Sequence, residues 1–410
     1  MSQDSCFQAN LKSVSNALDE LLSNLSIQTN TEYVAIEDAL NRILAEDIIT
    51  KTALPQWHIS AMDGIAVDAQ SADEYDQLEI IGKSLAGAPY SGSIEAGQAV
   101  IITTGACLPD GATAVVMKEQ CSFSENSVTL PKAIKVWNHV RKTGTEMASG
   151  SLLLEAGNRV NQHVLGLLAS LGYGQVKVYA HLKIGIFSTG DELVLPNEEL
   201  GYGEIYDSNR YGIKAFCHKL GYLVTDYGLI EDSPEVIEQV MLKAASEMDV
   251  LITSGGVSVG EADHIVPILK RIGDLDQWKL AIKPGKPIAI GKVAGCQFFG
   301  LPGNPVSAMV TFDIIVTPAL QKMSGGKVTQ VMEIAAECVT ELRKKPGRKE
   351  YQRGFAYQEN GTLKVRSTGF QGSALLVSLV EANCYIVLDE ECSGVVSGDK
   401  VNIQLLDSPL

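Results

Sequence analysis

The sequence predicts a multidomain protein of the α/β plus β class, and three observations support this prediction. Strands and helices alternate between about residues 181 and 326, which is typical of a three-layer α/β/α domain with a mostly parallel sheet. Short β-rich runs separated by Gly, Pro, Asn and Asp fill 51–140 and 327–410, and the second stretch predicts a C-terminal β-barrel. A chain of 410 residues is long enough for several such domains.

The first elements along the chain are helical. Apolar residues three and four apart predict an amphipathic helix over about 8–26, and shorter helices are predicted over about 36–44 and 160–171. We therefore expect a discontinuous helical linking domain formed by residues 1–50 and 141–180, which the β-rich domain interrupts.

The α/β domain, 181–326, opens with the strand KIGIFSTG, and a helix with Asp207 as its capping candidate follows. The strand YLVTDYGLI leads into a helix that starts at Ser233 and Pro234, and the strand DVLITSGG leads into a helix near 264–272. The remaining predicted elements are strands near 278–282, 287–292 and 297–301 and a helix from about 304.

Composition and charge exclude several classes of function. A net charge of −16 opposes binding to nucleic acid or to an anionic membrane. The N-terminal residues lack the pattern of a secretory signal, and no run of about 18 or more apolar residues occurs. The Cys and His residues are dispersed without the spacing of a zinc site or a disulfide framework. We expect a cytoplasmic protein with reduced thiols, in which any metal is a hard cation held by oxygen.

The residues that follow the predicted strands are the most informative part of the sequence. In an open parallel sheet, ligands bind beyond the carboxyl ends of the strands. Gly, Pro or charged residues occupy these positions in STGDE (188–192), EDSP (231–234), SGGVSVGEAD (254–263), IKPGKP (282–287) and LPGNP (301–305). A ligand-binding edge is therefore predicted for the α/β domain.

The Gly-rich segment after the third strand predicts an anion site. Backbone N–H groups of Ser254, Gly255 and Gly256 can face phosphate oxygens, and Gly lets the backbone approach them closely. Lys283 and Lys286 supply the local positive charge that an acidic chain otherwise lacks. A tight turn explains the Gly pair taken alone, but the whole set of strand ends favours a phosphorylated, highly anionic ligand.

Carboxylates also lie among these segments. Mg²⁺ prefers oxygen ligands and could bridge carboxylates to phosphate. The candidates are Asp191, Glu192, Asp232, Glu261 and Asp263. Each could instead be a helix N-cap or a solvated charge, an alternative that is stronger for Glu261 and Asp232, whereas Asp263 could both cap a helix and bind.

Segments outside the α/β domain give weaker signals. SAMDGI (60–65) and TTGA (103–106) offer a loop acid and a loop hydroxyl, and RKTGTE (141–146) adds two cations. GRKEYQRG (347–354) is a basic patch, which is usually a solvated face. A turn, a strand end and a solvated face explain these segments as well as a site does.

In their order along the chain, the segments resemble one known family. The matching strings are SAMDG, TTGA, FSTGDEL, GEIYDSNR, ITSGGVSVGEAD, WKLAIKPGKP, FFGLPGNPVSA, PGRKEYQRG and TGFQGS. From about residue 10 to its end, the sequence resembles the molybdopterin molybdenumtransferases, the MoeA family, which includes the C-terminal part of gephyrin.

The resemblance implies an activity and partners. Members of this family insert molybdate into adenylylated molybdopterin, release AMP and form molybdenum cofactor in a Mg²⁺-dependent step. The resemblance also implies an elongated four-domain homodimer whose cleft combines the α/β domain of one subunit with the β-rich domain of the other. Contact with the preceding molybdopterin adenylyltransferase and with acceptor molybdoenzymes is expected.

The resemblance assigns site residues by motif position. The expected catalytic residues are Asp63, Glu192, Asp232, Asp263, Lys279 and Lys283, with Glu192, Asp232 and Asp263 as metal ligands. The expected substrate-binding residues are Thr104, Lys286, Pro302, Pro305, Arg353 and Ser373, together with Ser254, Gly255 and Gly256 of the Gly-rich segment. Lys283, Lys286, Arg353 and Ser373 suit a tetrahedral oxyanion such as molybdate.

Two segments depart from the family pattern. Members typically read Pro-Phe-Asp-x-Ser-Ala-Met-Asp-Gly-Tyr, whereas this chain has His58 in place of the first Asp and Ile65 in place of Tyr. Members read Arg-x-x-Gly-Glu-Asp where this chain has Thr145 and Glu146 at the last two positions. The departures keep open a molybdopterin-binding paralogue or a dimeric scaffold as alternatives to an inserting enzyme. The choice between molybdate and tungstate stays open as well, because the two oxyanions have nearly the same size and charge.

Overall fold

The computed structural model describes residues 11–257 and 264–406. The α-helices of this part are α1 (Val14–Asn24), α2 (Gln162–Ser170), α3 (Asn209–Lys219), α4 (Pro234–Glu247), α5 (Ile265–Ile272), α6 (Pro305–Thr311), α7 (Thr317–Met323) and α8 (Val377–Val380). A π-helical turn, Phe312–Val316, joins α6 to α7. Helices are few relative to strands, and none in the described ranges is long and apolar enough to cross a membrane.

The linking region is less helical than predicted. The segment 36–44 forms only a 3₁₀ turn, Ile36–Asp38, and then bends at Asn41, whose φ is 65°. Its backbone bonds to a later segment, since the Asn41 N–H donates to the Val160 carbonyl over 2.8 Å. The prediction of a helix over 36–44 is therefore wrong, because strand-like pairing replaces it. The strand pairs of this region are Thr31–Ala35 with Gln175–Tyr179 and Ile48–Ile49 with Leu152–Leu154.

The β-rich region forms a six-stranded sheet that curves as a half-barrel. Its strands are β1 (Gly64–Val67), β2 (Leu78–Ser84), β3 (Gln98–Ile102), β4 (Ala114–Met117), β5 (Ser122–Phe123) and β6 (Ser127–Thr129). Ile65, Val100 and Val116 are buried in it. Ile59–Ser60 pairs with Val140–Arg141, and this pairing holds the start of the loop that precedes β1.

The α/β region has the predicted three layers. Its strands are β7 (Lys183–Thr189), β8 (Leu223–Ile230), β9 (Val250–Ser254), β10 (Gly273–Lys279), β11 (Ile282–Lys283), β12 (Pro287–Val293) and β13 (Cys296–Leu301). The sheet order is β8-β7-β9-β13-β12-β10, in which the first four strands are parallel and β12 is antiparallel to both of its neighbours. Ile252 packs with α3 and α6 on one face, and Leu251 packs with α4 and α5 on the other.

The C-terminal region is a closed five-stranded barrel, as the sequence predicted. Its strands are β14 (Ile334–Cys338), β15 (Lys349–Glu359), β16 (Thr362–Ser367), β17 (Cys384–Leu388) and β18 (Lys400–Leu405). Strand β15 also pairs in parallel with β11, which joins the barrel to the α/β region. The domain boundaries given above stay predictions.

The register of the parallel strands aligns their carboxyl ends. Ser254 lies opposite both Ser188 and Leu301, and Thr189 lies opposite Ile230. Because a parallel sheet gathers its strand ends at one edge, the residues that follow these positions share that edge. The predicted ligand-binding edge is thus formed by backbone pairing alone.

A buried ion network lies behind this edge. The Arg210 guanidinium donates to Asp207 Oδ2 and to Asp226 Oδ1, each over 2.7 Å, and its own side chain is only 6% exposed. Ser188 Oγ, near the end of β7, donates to Asp207 over 3.2 Å. The N-cap of α3 is Ser208 rather than the predicted Asp207, although Asp207 Oδ1 accepts the Arg210 N–H over 3.3 Å in the first turn. The network ties the start of α3 to β7 and β8.

Arg210→Met should destabilise the fold strongly. Removal of one partner from a buried ion network leaves charge without compensation, which costs about 3–5 kcal/mol. The free energy of unfolding from urea denaturation measures the loss. The control is Lys364→Met, since Lys364 is a partly exposed residue of the barrel that pairs with the exposed carboxylates of Glu359 and Glu337, and its removal should change stability little. Equal effects of the two substitutions would contradict the assignment.

The same network should make stability depend on pH. Burial opposes ionisation of Asp226, but hydrogen bonds from Arg210, the Gly228 amide and Lys214 outweigh it and lower the Asp226 pKa below 3.8. A carboxyl whose folded-state pKa is lowered stabilises the fold above its ordinary pKa, and that stability is lost as the pH falls through the lowered value. Urea denaturation below pH 4 should therefore show a shallower pH dependence in Arg210→Met than in the natural chain.

Candidate active site

Loops from three parallel strands meet at the carboxyl edge of the sheet. The Gly255 N–H donates to the Leu301 carbonyl over 3.1 Å, and Asn209 Nδ2 donates to the Gly303 carbonyl over 2.8 Å. A Cβ placed on Gly255 would lie 3.2 Å from the Thr189 carbonyl oxygen. The ends of β7, β9 and β13 and the start of α3 are therefore in contact.

The Gly-rich segment makes a tight turn at this edge. Gly255 and Gly256 have φ values of 92° and 67°, and a Cβ on Gly256 would lie 2.5 Å from Ile265 Cγ1. These constraints account for both glycines without a ligand, and the Gly255 N–H is already bonded. The role of Ser254, Gly255 and Gly256 in holding phosphate stays a prediction. The rest of the segment, 258–263, lies outside the described residues, and Glu261 and Asp263 lie there.

The LPGNP segment connects the sheet edge to the barrel. Pro302 follows β13, and Pro305 begins α6. The next residue, Val306, donates its N–H to the Ser373 carbonyl over 3.0 Å. Pro305 and Ser373, which are far apart in the sequence, are therefore brought together.

Two of the predicted acids follow the neighbouring strands β7 and β8. Asp232 accepts a hydrogen bond from Thr189 Oγ1 over 2.7 Å, which ties it to the end of β7. Glu192 is exposed and folds back over Gly190, where a Cβ would meet its carboxylate at 2.7 Å. In residues 11–257 and 264–406, no cluster of three or more His, Cys, Asp or Glu forms a ready metal site.

The lysines lie where the α/β region meets the barrel. Lys283 lies opposite Glu350 in the β11–β15 pair, and its Nζ donates to Glu350 Oε1 over 3.1 Å. Lys279 ends β10, and the Lys286 carbonyl accepts from the Leu280 N–H over 2.8 Å. Lys283 is 41% exposed, whereas Glu350 is almost fully buried, so the ammonium group can also meet a ligand.

Arg353 is buried rather than part of a solvated basic face. Only 1% of it is exposed, its Nε donates to Ser378 Oγ over 3.1 Å, and its Nη2 donates to the Gly372 carbonyl over 3.0 Å. Burial lowers the pKa of Arg353 to about 10, although attraction from Tyr385 and Glu350 opposes this effect. A buried guanidinium bonded to neutral oxygens favours a bound anion. The solvated-face interpretation of 347–354 is therefore wrong at Arg353.

Asp63 and Thr104 meet in the β-rich region. Asp63 Oδ1 accepts from both the backbone N–H and the Oγ1 of Thr104, over 2.8 and 2.9 Å. These bonds, the Thr104 amide first, outweigh desolvation and lower the pKa of Asp63, and Lys118 adds a smaller effect. The carboxylate is about half exposed and ionised, so it is available to a ligand.

The two departures from the family pattern lie in segments that touch. His58 Nδ1 accepts the backbone N–H of Thr143 over 2.9 Å, and its ring meets Trp137 edge to face at 5.0 Å. Lys142 lies 4.5 Å from the centre of the same Trp137 ring. Thr145 Oγ1 donates to the Lys142 carbonyl. His58 therefore keeps a hydrogen-bond acceptor where the family pattern has a carboxylate.

Sequence reasoning missed Glu350 as a member of this site. Glu350, Gln352 and Arg353 are all nearly fully buried in β15. In a half-buried strand, apolar residues on the buried face alternate with polar residues on the exposed face. Three polar residues in four positions do not fit that alternation. That conflict was the available signal, but the basic character of GRKEYQRG obscured it.

Three family models match the chain in succession. Residues 12–172 match the MoeA N-terminal region (domain I and II), residues 185–322 match a probable molybdopterin binding domain, and residues 335–406 match the MoeA C-terminal region (domain IV).

Named relatives match almost the whole chain. A molybdopterin molybdenumtransferase of Haemophilus influenzae is 43% identical over 391 residues, which are 95% of this chain and 97% of that protein. Another of Staphylococcus epidermidis is 32% identical over 402 residues, 97% of this chain and 96% of that protein. A solved MoeA protein of molybdopterin biosynthesis from Pyrococcus horikoshii has a TM-score of 0.83 at 28% identity, with 97% of this chain and 100% of that one covered.

The fold defines a multidomain α/β plus β protein in which the ends of the parallel strands meet at one edge beside the C-terminal barrel. Because relatives with one name cover nearly its full length, the chain belongs to the molybdopterin molybdenumtransferase family. The family resemblance noted in the sequence is thereby confirmed, and the scaffold and binding-only alternatives are not favoured.

The contact between His58 and Thr143 gives a local test of the departures. His58→Leu removes the acceptor and should speed hydrogen exchange at the Thr143 amide by about fivefold, because a lost hydrogen bond costs ~1 kcal/mol. His58→Asp restores the family residue and should keep the amide protected. NMR measures the exchange rates. An exchange rate in His58→Leu equal to that of the natural chain would contradict this role of His58.

Proposed function

We propose that this protein inserts molybdate into adenylylated molybdopterin and releases AMP, which forms molybdenum cofactor. Its family membership supports the molybdenum insertion step. The finer assignments, namely the adenylylated substrate, Mg²⁺ and a homodimer, are part of the proposal. Delivery of the product would require contact with the preceding adenylyltransferase and with acceptor molybdoenzymes.

One observation carries the proposal. Lys283 and Arg353 reach the same junction from two regions of the chain, because β11 pairs with β15. Arg353 is buried against neutral oxygens, and Ser373 is held nearby through the Gly372 and Ser373 carbonyls. A planar guanidinium, an ammonium and a hydroxyl suit a tetrahedral dianion. We therefore place molybdate at this junction.

The pterin and nucleotide are proposed to lie along the adjoining sheet edge. Thr189, Asp232 and the LPGNP segment line that edge. Carboxylates and amides can orient amino and hydroxyl groups of a nucleotide, while the lysines meet its phosphates. Ser254, Gly255 and Gly256 would adjust to admit phosphate, since the Gly255 N–H now bonds to Leu301.

Mg²⁺ is the proposed cofactor. The chain offers hard oxygen donors at Glu192 and Asp232, and Mg²⁺ in phosphate sites commonly takes one or two carboxylates and completes its shell with phosphate and water. This donor chemistry fits the ion. Bound there, Mg²⁺ would neutralise charge on the phosphoanhydride. Of the two described donors, Asp232 is held by a hydrogen bond from the Thr189 hydroxyl.

The location of the reaction is proposed to be the cytoplasm. The described cysteines are thiols, which suits a reducing compartment. The proposed pocket recognises charge and tetrahedral shape, which molybdate and tungstate share.

Lys283→Met and Arg353→Met should each abolish molybdate-dependent release of AMP. The loss of one preorganised charged donor costs about 100-fold or more in turnover. AMP released from adenylylated molybdopterin is measured by chromatography, with Lys364→Met in the barrel as the control that keeps activity. Natural turnover in either site variant would refute its assignment. A natural chain that binds the pterin nucleotide but never releases AMP would instead support the binding-only alternative.

The proposed dimer allows a mixing test. In the proposed homodimer, the cleft would take Asp63 from the β-rich region of one subunit and Lys283, at the barrel junction, from the other. Inactive Asp63→Asn and Lys283→Met chains, mixed under subunit exchange, should recover about a quarter of natural activity, because half of the dimers would be mixed with one intact site each.

The matched control mixes Lys283→Met with Arg353→Met. These residues would lie in the same half of each cleft, so this mixture should recover no activity. Native mass spectrometry confirms that mixed dimers form in both cases. Mixed dimers of the first pair that stay inactive would show that the site belongs to one chain.

A further inference from the structure

Glu350 is a buried carboxylate that pairs with Lys283, one of the two cations assigned to the oxyanion pocket. Its side chain is 4% exposed, and its Oε1 accepts from Lys283 Nζ over 3.1 Å. Its Oε2 accepts from Gln352 Nε2 over 2.9 Å. Both oxygens are therefore engaged, and the carboxylate has a fixed orientation.

Strand pairing explains why Glu350 meets Lys283. The parallel register of β11 and β15 places Lys283 directly opposite Glu350. Gln352 lies two positions further along β15 and so points to the same side of the strand. The barrel thereby supplies both the counter-charge and the side chain that orients it.

Glu350 also attracts the second cation. Arg353 lies three positions along β15, so its side chain leaves the opposite side of the strand. It feels the negative charge of Glu350 only at a distance, while its direct bonds go to Ser378 Oγ and the Gly372 carbonyl. One carboxylate thus offsets part of the positive charge of two cations. Lys283 and Arg353 together with Glu350 carry one net positive charge, which leaves the pocket attractive to a dianion.

We propose that Glu350 is a positioning residue that holds Lys283 against the barrel and limits how tightly the pocket binds a tetrahedral oxyanion. Tight binding of a free oxyanion would not by itself speed its transfer, since only interactions that are stronger in the transition state do so. Glu350 therefore lowers the affinity of the pocket for the free oxyanion but supports turnover, because it holds Lys283 in position. This role in turnover rests on the function proposed above, whereas its effect on oxyanion binding does not.

The test compares binding with turnover in the full-length protein. Isothermal calorimetry measures the Kd for molybdate and for sulfate, and AMP release measures turnover. Glu350→Gln removes the charge at almost constant shape, and Glu350→Asp keeps the charge but shortens its reach to Lys283. The matched control is Glu333→Gln, because Glu333 pairs with Lys349 and accepts bonds from Asn402 and Gln404 in the same barrel.

Glu350→Gln should bind both oxyanions roughly tenfold more tightly, because a nearby repelling charge is removed. The gain should shrink at high salt, which screens charge. Turnover should fall in the same variant, since Lys283 loses its anchor. Glu350→Asp should keep the natural Kd within about twofold and yet lose turnover, because the net charge is unchanged. Glu333→Gln should change neither quantity.

Weaker or unchanged oxyanion binding in folded Glu350→Gln would overturn the proposal. If that variant fails to fold, Glu350→Asp decides, and natural turnover in it would overturn the positioning role. A natural chain that binds oxyanion but releases no AMP would refute the proposed function, while the Kd comparison would still decide the role of Glu350 in binding. A natural chain that binds no oxyanion would refute both.

Discussion

The candidate active site depends on the parallel pairing of β11 with β15. This short pair joins the α/β region to the barrel and sets Lys283 opposite Glu350. A second link, from the Val306 N–H to the Ser373 carbonyl, fixes the barrel loop against the start of α6. Backbone hydrogen bonds have little positional freedom. The two links therefore hold Lys283 of the α/β region and Arg353 of the barrel at the edge where the parallel strands end. The site is therefore a property of the junction and not of either region alone.

Two buried arginines, Arg210 and Arg353, differ in how their positive charges are compensated. Arg210 meets two carboxylates, Asp207 and Asp226, so its charge is fully compensated. Arg353 is at least as deeply buried, yet it bonds to a hydroxyl and a carbonyl. A buried charge whose direct bonds go only to neutral dipoles costs stability, even where a carboxylate attracts it at a distance. That cost is tolerated where a ligand supplies the missing negative charge, so the difference between the two environments points to function.

The sequence predicted what depends on local pattern and missed what depends on pairing. Alternating strands and helices predicted the three layers, and short β runs predicted the barrel, because these patterns report which faces are buried. The segment 36–44 looked helical by spacing, but Asn41 turns the chain so that it bonds to Val160. Glu350 was missed for a related reason: its importance arises from a partner strand 67 residues away in sequence. Family resemblance named Arg353 but could not reveal that it is buried.

The departure at His58 keeps a hydrogen-bond acceptor at that position. A carboxylate and an imidazole differ in charge, yet both can accept a hydrogen bond from a backbone N–H. His58 uses Nδ1 to accept the Thr143 amide, and a backbone amide can only donate, so the ring presents an unprotonated nitrogen there. Asp63 and Thr104 keep their own bonds independently of this contact. His58 thus provides an acceptor for the Thr143 amide, and the substitution leaves the Asp63 carboxylate of the β-rich region in place.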